Sequence, residues 1–234
     1  MNRQKSFETQ QPALYIVATP IGNLQELTPR ARAVLEEVDV IAAEDTRNTQ
    51  KLLAHFGIST HMIAHHKFNE AQSSKGILHL LEEGKSVAIV SDAGYPLISD
   101  PGAQLVSEVI DAGYPAVPIS GSSAALDALV ASGLSPQPFL FYGFLDSGEK
   151  QRIRQLLSLK EYPMTLIFYE APHKLQNTLK DLTDAFGPER RISLCRELTK
   201  LHEETMRITL DEAADYYAAS EPRGEYVLVV AGRE

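Results

Sequence analysis

From Leu14 to Ser123, short apolar runs alternate with amphipathic stretches, and each run gives way to a loop of Gly, Pro, Ser, Asp or Asn. Leu14–Ala18, Val38–Ala43, His61–Ala64, Val87–Val90 and Ala116–Ile119 read as strands, short and closed by turn residues. Helical spacing fills the gaps. One helix opens at Thr28-Pro29, an N-cap followed by proline in the first turn, and runs to about Val38. Others carry Leu52, Leu53 and Phe56 before Gly57, Ile77, Leu78, Leu80 and Leu81 before Gly84, and Leu105, Val106, Val109 and Ile110 before Gly113. A last one bears Leu126, Leu129 and Val130. Strand, loop and helix repeated in this order predict a mainly parallel α/β sheet.

The rhythm changes after Ser132-Gly133-Leu134-Ser135-Pro136-Gln137-Pro138, a stretch without periodicity that reads as a linker. Phe139–Phe144, Met164–Tyr169, Ile192–Arg196, Thr205–Leu210 and Tyr226–Ala231 read as strands. Helices are expected at Glu149–Leu159, from Pro172 to the Gly187-Pro188 stop, and at Asp211–Tyr217. Strands in succession with fewer helices predict a mixed α+β sheet. The expected organisation is a disordered polar lead at residues 1–13, an α/β domain at 14–131, the linker at 132–138 and a mixed α+β domain at 139–234. A ligand cleft is expected between the two domains.

The stretch Val87–Gly102 is the most informative. A buried strand runs into twelve residues of turn chemistry, Ser91 to Gly102, where a crossover loop usually needs roughly two to six. Open α/β sheets bind ligands outside the carboxyl ends of their strands. Gly94 lets the backbone approach a ligand closely, and Pro96 and Pro101 hold the loop's shape. Four further loops leave the same edge: Thr19–Leu24, Glu44–Asn48, His65–Glu70 and Ser120–Ser123. Two of these have a plainer reading. Glu44 and Asp45 suit a helix dipole, and Ser122 or Ser123 suits an N-cap, although a Gly-Ser-Ser opening a helix also offers N–H groups to an anion.

Several chemistries lose support. The first loop has only Gly22 of the three glycines of a dinucleotide fingerprint, and Gly84-Lys85-Ser86 precedes a strand instead of opening a helix. His61, His65 and His66 have no cysteine nearby, and His202-Glu203-Glu204 lacks a second His, so no metal is expected. The single cysteine, Cys195, excludes an internal disulfide and suggests a reducing compartment. No apolar run approaches the roughly 18 residues of a membrane span, and the first residues lack a signal-peptide core, so a cytoplasmic protein is expected. With 234 residues, 44% hydrophobic, the chain can bury a sizeable core. A net charge of −9 argues against indiscriminate binding to a polyanion while leaving room for a local basic face.

Five segments carry a resemblance: Leu14–Leu24, Ile41–Arg47, Ser91–Gly102, Leu166–His173 and Arg196–Lys200. In this order they resemble the tetrapyrrole methylase superfamily of S-adenosylmethionine enzymes, and within it the bacterial branch that acts on small-subunit ribosomal RNA. The likeness runs from about Leu14 to Gly232. It implies a two-domain, cytosolic homodimer that binds S-adenosylmethionine in the interdomain cleft. The implied reaction is methylation of a cytidine ribose 2′-hydroxyl in 16S rRNA, free or within the small subunit. By the same resemblance Pro20, Ile21, Asp92, Ala93, Gly94, Ile98, Ser99, Gly121, Ser122, Ser123, Phe168 and Tyr169 surround the cofactor.

A ribose hydroxyl is a poor nucleophile, so a group that takes its proton is expected, with Glu44, Asp45, Asn69, Glu70 and Glu170 as candidates. Arg47, Lys174, Arg196 and Lys200 are candidates for gripping phosphates. For each, the plainer role is a helix cap or a solvated ion pair. The chain departs from the resemblance at Tyr95, where Thr is usual, at His65–Glu70, at Gly121-Ser122 and at the short Asp146-Ser147-Gly148. It also ends near Glu234 without a C-terminal helical extension, which implies a smaller rRNA grip. Two rival readings are carbon methylation of a precorrin and a non-catalytic module that binds cofactor and rRNA.

Overall fold

The structure is a computed structural model and describes residues 4–7 and 11–233. Much of the expected disordered lead, residues 1–3 and 8–10, lies outside the described residues. The chain divides into two compact units, Met1–Ser123 and Ala124–Glu234.

The first unit contains β1 (Leu14–Val17), α1 (Pro29–Glu37), β2 (Val40–Ala43), α2 (Thr46–Phe56), β3 (His61–Ala64), α3 (Glu70–Glu82), β4 (Val87–Val90), α4 (Ala103–Asp111) and β5 (Ala116–Ile119). The strands form one parallel sheet in the order β3-β2-β4-β1-β5. Period-two alternation serves both faces, as a doubly covered sheet requires. Val40, Ala42, Val87 and Ile89 meet Ile77, Leu81, Leu105 and Val109 of α3 and α4. Ile41, Ala43, Ala88 and Val90 meet Ala31, Leu35 and Leu53 of α1 and α2.

Helix ends follow the local chemistry. The Thr28 hydroxyl accepts the Ala31 N–H at 3.1 Å, the Asp45 carboxylate accepts the Arg47 N–H at 2.9 Å, and Gly57 closes α2 in the left-handed region at φ 70°. The chain steps toward β3 after β1 and β2 and away from it after β3 and β4. Loops from the neighbouring strands β1 and β4 therefore part toward opposite faces, which makes their carboxyl ends a switch point. At the far edge, Ala116 donates its N–H to Gln4 Oε1 and accepts from Gln4 Nε2, each at 3.0 Å.

The second unit contains α5 (Ala124–Ala131), β6 (Phe139–Phe144), α6 (Glu149–Leu159), β7 (Thr165–Glu170), α7 (Pro172–Phe186), β8 (Arg191–Arg196), β9 (Glu204–Thr209), α8 (Leu210–Ala219) and β10 (Tyr226–Val230). Its sheet runs β6-β7-β10-β8-β9, with β6 and β7 parallel and the other pairs antiparallel. Leu156, Leu175, Leu179, Leu182 and Leu210 of α6, α7 and α8 cover one face through Leu166, Phe168, Leu194 and Leu228. The other face holds Ile167, Cys195, Val227 and Val229, against which α5 lays Ala125, Ala128 and Leu129.

The division at Ser123 thus falls ahead of the expected linker at 132–138. An apolar stripe says that α5 is buried but not against which sheet, and the contacts of its small residues assign it to the second. Within this unit Arg152 and Asp181 form a buried pair, with Nε and Nη2 both 2.6 Å from Asp181 Oδ2 and Nη1 donating to Ser147 O at 3.2 Å. Among the described residues no helix is long and apolar enough to cross a membrane.

Candidate functional site at the carboxyl edge of the first sheet

Three loops are tied together where β1, β4 and β5 end. Thr19 and Gly94 exchange backbone hydrogen bonds of 2.9 and 3.0 Å, and the Thr19 hydroxyl donates to Ser91 O at 3.2 Å. The Gly121 N–H donates to the Tyr95 hydroxyl oxygen at 3.2 Å, and the Ser122 hydroxyl donates to Glu26 Oε2 at 3.0 Å. Two glycines permit this closeness. Gly94 sits at φ 78°, and a Cβ there would stand 3.4 Å from Ile21 Cγ2 and 3.7 Å from Ser122 O. A Cβ on Gly121 would lie 2.9 Å from Ala18 Cβ, closer than carbon atoms approach. Pro20, Ile21, Gly94, Gly121 and Ser122, expected at the cofactor, are thereby gathered from three separate loops. Tyr95 is one of the ties.

The arc from Asp92 to Gly102 is held in uncommon backbone. Leu97 and Ser99 are non-glycine residues at φ 73° and 70°, with the exposed Ile98 between them. Gly102, at φ 121°, donates its N–H to Glu70 Oε1 at 2.8 Å. Asp92, Ala93 and Ser99 are exposed on the same arc. These positive angles cost free energy that the flanking ties must offset.

Carboxylates line one side of this edge. Glu44 Oε2 accepts the Asp92 N–H at 3.4 Å, and Asp92 Oδ2 accepts from Asn48 Nδ2 at 3.0 Å. Burial raises the Glu44 pKa, opposed by the Asp92 N–H and reinforced by the charges of Asp92 and Asp45. Asp100 is pushed up to about 6, first by burial and then by the charge of Glu44, with the Ser91 hydroxyl pulling the other way and Asp92 adding to the rise. Asp100 is absent from the expected proton acceptors. The repeat of Ser-Asp at 91–92 and 99–100 is a signal that could have found it.

Other expected residues have structural partners. Asp45 caps α2 and pairs with the exposed Arg47 at 2.6 Å, which holds its carboxyl well below the usual range. Asn69 accepts the His66 N–H at 2.8 Å and donates to Ala64 O at 3.1 Å, fixing the turn after β3. In the second unit Glu170 is buried, its Oε1 accepting the Ala171 N–H at 2.8 Å and its Oε2 the Thr178 hydroxyl at 2.6 Å, so it braces the start of α7. Phe168 is sealed in the core of that unit, and Tyr169 packs edge-on against Phe141 and Phe144. Arg196 lies 3.1 Å from its cross-strand neighbour Glu204. Lys200 bridges Glu197 and Glu225 at 2.9 and 2.7 Å. Lys174 stands in the first turn of α7. Among the described residues no group of three His, Cys, Asp or Glu is placed to hold a metal ion.

The fold and the match of the sequence to known proteins agree on one class, a methylase. Residues 13–214 match the family of Tetrapyrrole (Corrin/Porphyrin) Methylases. The chain belongs to the tetrapyrrole methylase family. It is 47% identical over 234 residues to Ribosomal RNA small subunit methyltransferase I of Bacillus subtilis, covering 99% of this chain and 80% of that protein. The protein of the same name from Synechocystis is 48% identical over 219 residues, covering 94% and 78%. Among solved structures, uroporphyrin-III C-methyltransferase from Thermus thermophilus, complexed with S-adenosylhomocysteine, superposes with a TM-score of 0.67 at 19% identity, covering 94% of this chain and 97% of that one.

Proposed function

We propose that this chain transfers the methyl group of S-adenosylmethionine to small-subunit ribosomal RNA, at the 2′-hydroxyl of a cytidine ribose. The observation that carries the reading is the 47% identity, over 99% of the chain, to a protein named for that RNA. The tetrapyrrole alternative draws on the name of the matched family and on fold likeness at 19% identity, neither of which names this chain's acceptor. The finer choice of nucleotide and of ribose oxygen rests on the sequence resemblance.

The residues at the first sheet's edge suit such a donor. Gly94 offers backbone without a side chain between Ile21 and Ser122, Gly121 does so against Ala18, and the carboxylates of Glu44, Asp92 and Asp100 complement a positively charged sulfonium. S-adenosylmethionine supplies an already activated methyl group. The chain's part is orientation, worth on the order of 7–11 kcal/mol in favourable systems, and removal of the acceptor's proton, worth roughly 10²–10⁴-fold. Glu44 and Glu70 lie on this edge, whereas Asp45, Asn69 and Glu170 already serve as caps or braces. Arg47, Lys174, Arg196 and Lys200 are assigned to RNA phosphates, three of them exchanging an acidic partner for phosphate on binding.

The test supplies labelled S-adenosylmethionine with small ribosomal subunits, naked 16S rRNA and a precorrin-type acceptor in parallel, then maps ribose methylation on the RNA. Label on a cytidine ribose is the expected result. Label on the tetrapyrrole alone, or tight binding of S-adenosylhomocysteine without any methylated product, would replace the proposal with one of its rivals.

A further inference from the structure

One turn at the edge of the first sheet carries an aromatic ring that the fold does not use. Phe68 is 93% exposed and stands on the turn at residues 65–69, between β3 and α3. Hydrogen bonds fasten this turn. The His65 N–H donates to Ala43 O at 2.8 Å, the His66 N–H to Asn69 Oδ1 at 2.8 Å, the Asn69 N–H to His66 O at 2.9 Å, and Asn69 Nδ2 to Ala64 O at 3.1 Å. One residue on, Glu70 Oε1 accepts the Gly102 N–H at 2.8 Å, which ties the turn to the end of the arc from Asp92 to Gly102. The His66 ring meets Phe68 edge-on, with 6.1 Å between centroids and 63° between planes. Phe68 is thus held at the candidate site by its neighbours while its own ring faces solvent.

Charge indicates what covers the ring. The segments leaving this edge carry the carboxylates of Glu44, Asp45, Glu70, Asp92 and Asp100 against the cations Arg47 and Lys67, and Arg47 is already paired with Asp45. Such an edge attracts a sulfonium but repels RNA phosphates. An acceptor ribose therefore needs a contact that does not run through its charged backbone. An aromatic face supplies one, because unpaired bases are neutral and stack on Phe, Tyr or Trp. A protein partner is the poorer occupant: interface cores are depleted of charge, and Phe68 stands between the exposed Lys67 and the Glu70 carboxylate.

We propose that Phe68 is a substrate-positioning residue on whose ring one unpaired base of the small-subunit RNA, beside the methylated nucleotide, stacks. The proposal rests on the methyl-transfer reading above and adds the means of holding RNA at an acidic edge. Every base has a π-face, so the contact selects unpaired over paired RNA without reading base identity. No phosphate is neutralised in it, so its share of the affinity does not depend on salt.

The chain contains no tryptophan, so Phe68→Trp places a single reporter at this position. Its emission should be quenched by 16S rRNA once binding is saturated in anisotropy, and left unchanged by an RNA duplex without unpaired bases. Methyl-transfer kinetics use small subunits or naked 16S rRNA, whichever form the wild-type protein methylates. There Phe68→Leu should raise KM by about 5–150-fold, the range of one base–aromatic stack, while Phe68→Tyr stays within about twofold. Both variants should keep the wild-type melting temperature and S-adenosylhomocysteine affinity, since the ring supports no core, and Phe68→Leu should keep the wild-type salt slope. A Phe68→Leu KM within about twofold of wild type, or a tryptophan emission unmoved by bound rRNA, would overturn the proposal. So would an emission that shifts to the blue with protein concentration in the absence of RNA, which would mark the ring as a protein interface. Should wild-type protein methylate neither form of the RNA, the methyl-transfer reading itself fails, whereas the Phe68 variants test this proposal alone.

Discussion

Gly94→Ala separates backbone strain from occlusion of the site. The residue sits at φ 78°, where an alanine costs about 1–2 kcal/mol. For a protein of this size about 1 kcal/mol lowers the melting temperature by roughly 2–4 °C, so the substitution should lower it by about 2–8 °C. The new methyl would also stand 3.4 Å from Ile21 Cγ2 and 3.7 Å from Ser122 O, inside the gap between two loops assigned to the cofactor. Ordinary contact distances mean that the protein itself accepts the methyl, while a ligand resting on the Gly94 backbone would not. Gly57 provides the control, since it has φ 70° at the end of α2 with nothing within 4 Å of an added Cβ. Gly57→Ala should show the same loss in differential scanning fluorimetry. In calorimetric titration with S-adenosylhomocysteine, Gly94→Ala should lose at least about tenfold in affinity, about 1.4 kcal/mol, and Gly57→Ala should lose none. Equal affinities for the two variants would refute the placement of the ligand against Gly94.

Asp181→Asn leaves Arg152 buried without its counter-charge, so urea unfolding should show a loss of about 3–5 kcal/mol, largely recovered in an Arg152→Met, Asp181→Leu double variant. The raised pKa of Asp100 means that the folded state holds its proton more tightly than the unfolded chain. The associated stabilisation is complete below the unfolded value near 3.8 and is lost as pH rises through about 6. Asp100→Asn should therefore melt higher than wild type at pH 8, with the difference vanishing toward pH 4, and equal melting at pH 8 would contradict the charge crowding. Lys174→Ala should weaken binding to 16S rRNA in fluorescence anisotropy and reduce the slope of log affinity against log salt by about 0.7–0.9, whereas an unchanged slope would remove Lys174 from the phosphate contacts.

The parallel sheet was legible because its strands are too apolar to face water on either side, and the loops after them carried the polar residues that converge at β1, β4 and β5. Local chemistry also announced the helix ends at Thr28, Asp45 and Gly57. What escaped a linear reading depends on pairs that only the fold brings together. The tuning of Asp100 needs Glu44, and the membership of α5 needs Cys195, Val227 and Val229. Glu170 stood among the proton-acceptor candidates with a helix cap as its plainer role, and its Thr178 partner, two turns into the following helix, occupies its second oxygen. Arg196 and Lys200 carried an ion pair as their plainer role, but the sequence could not name the partners, Glu204 and Glu225.

The outer rim of β5 presents few places for a foreign strand to dock. Its inward groups, at Pro115, Val117 and Ile119, serve β1, so only alternate residues look outward. Of these, Ala116 already has both backbone groups engaged by the Gln4 amide, and Pro118 brings no N–H. One side chain from the lead and one imino acid thereby protect an otherwise adhesive β-margin from recruiting a neighbouring molecule.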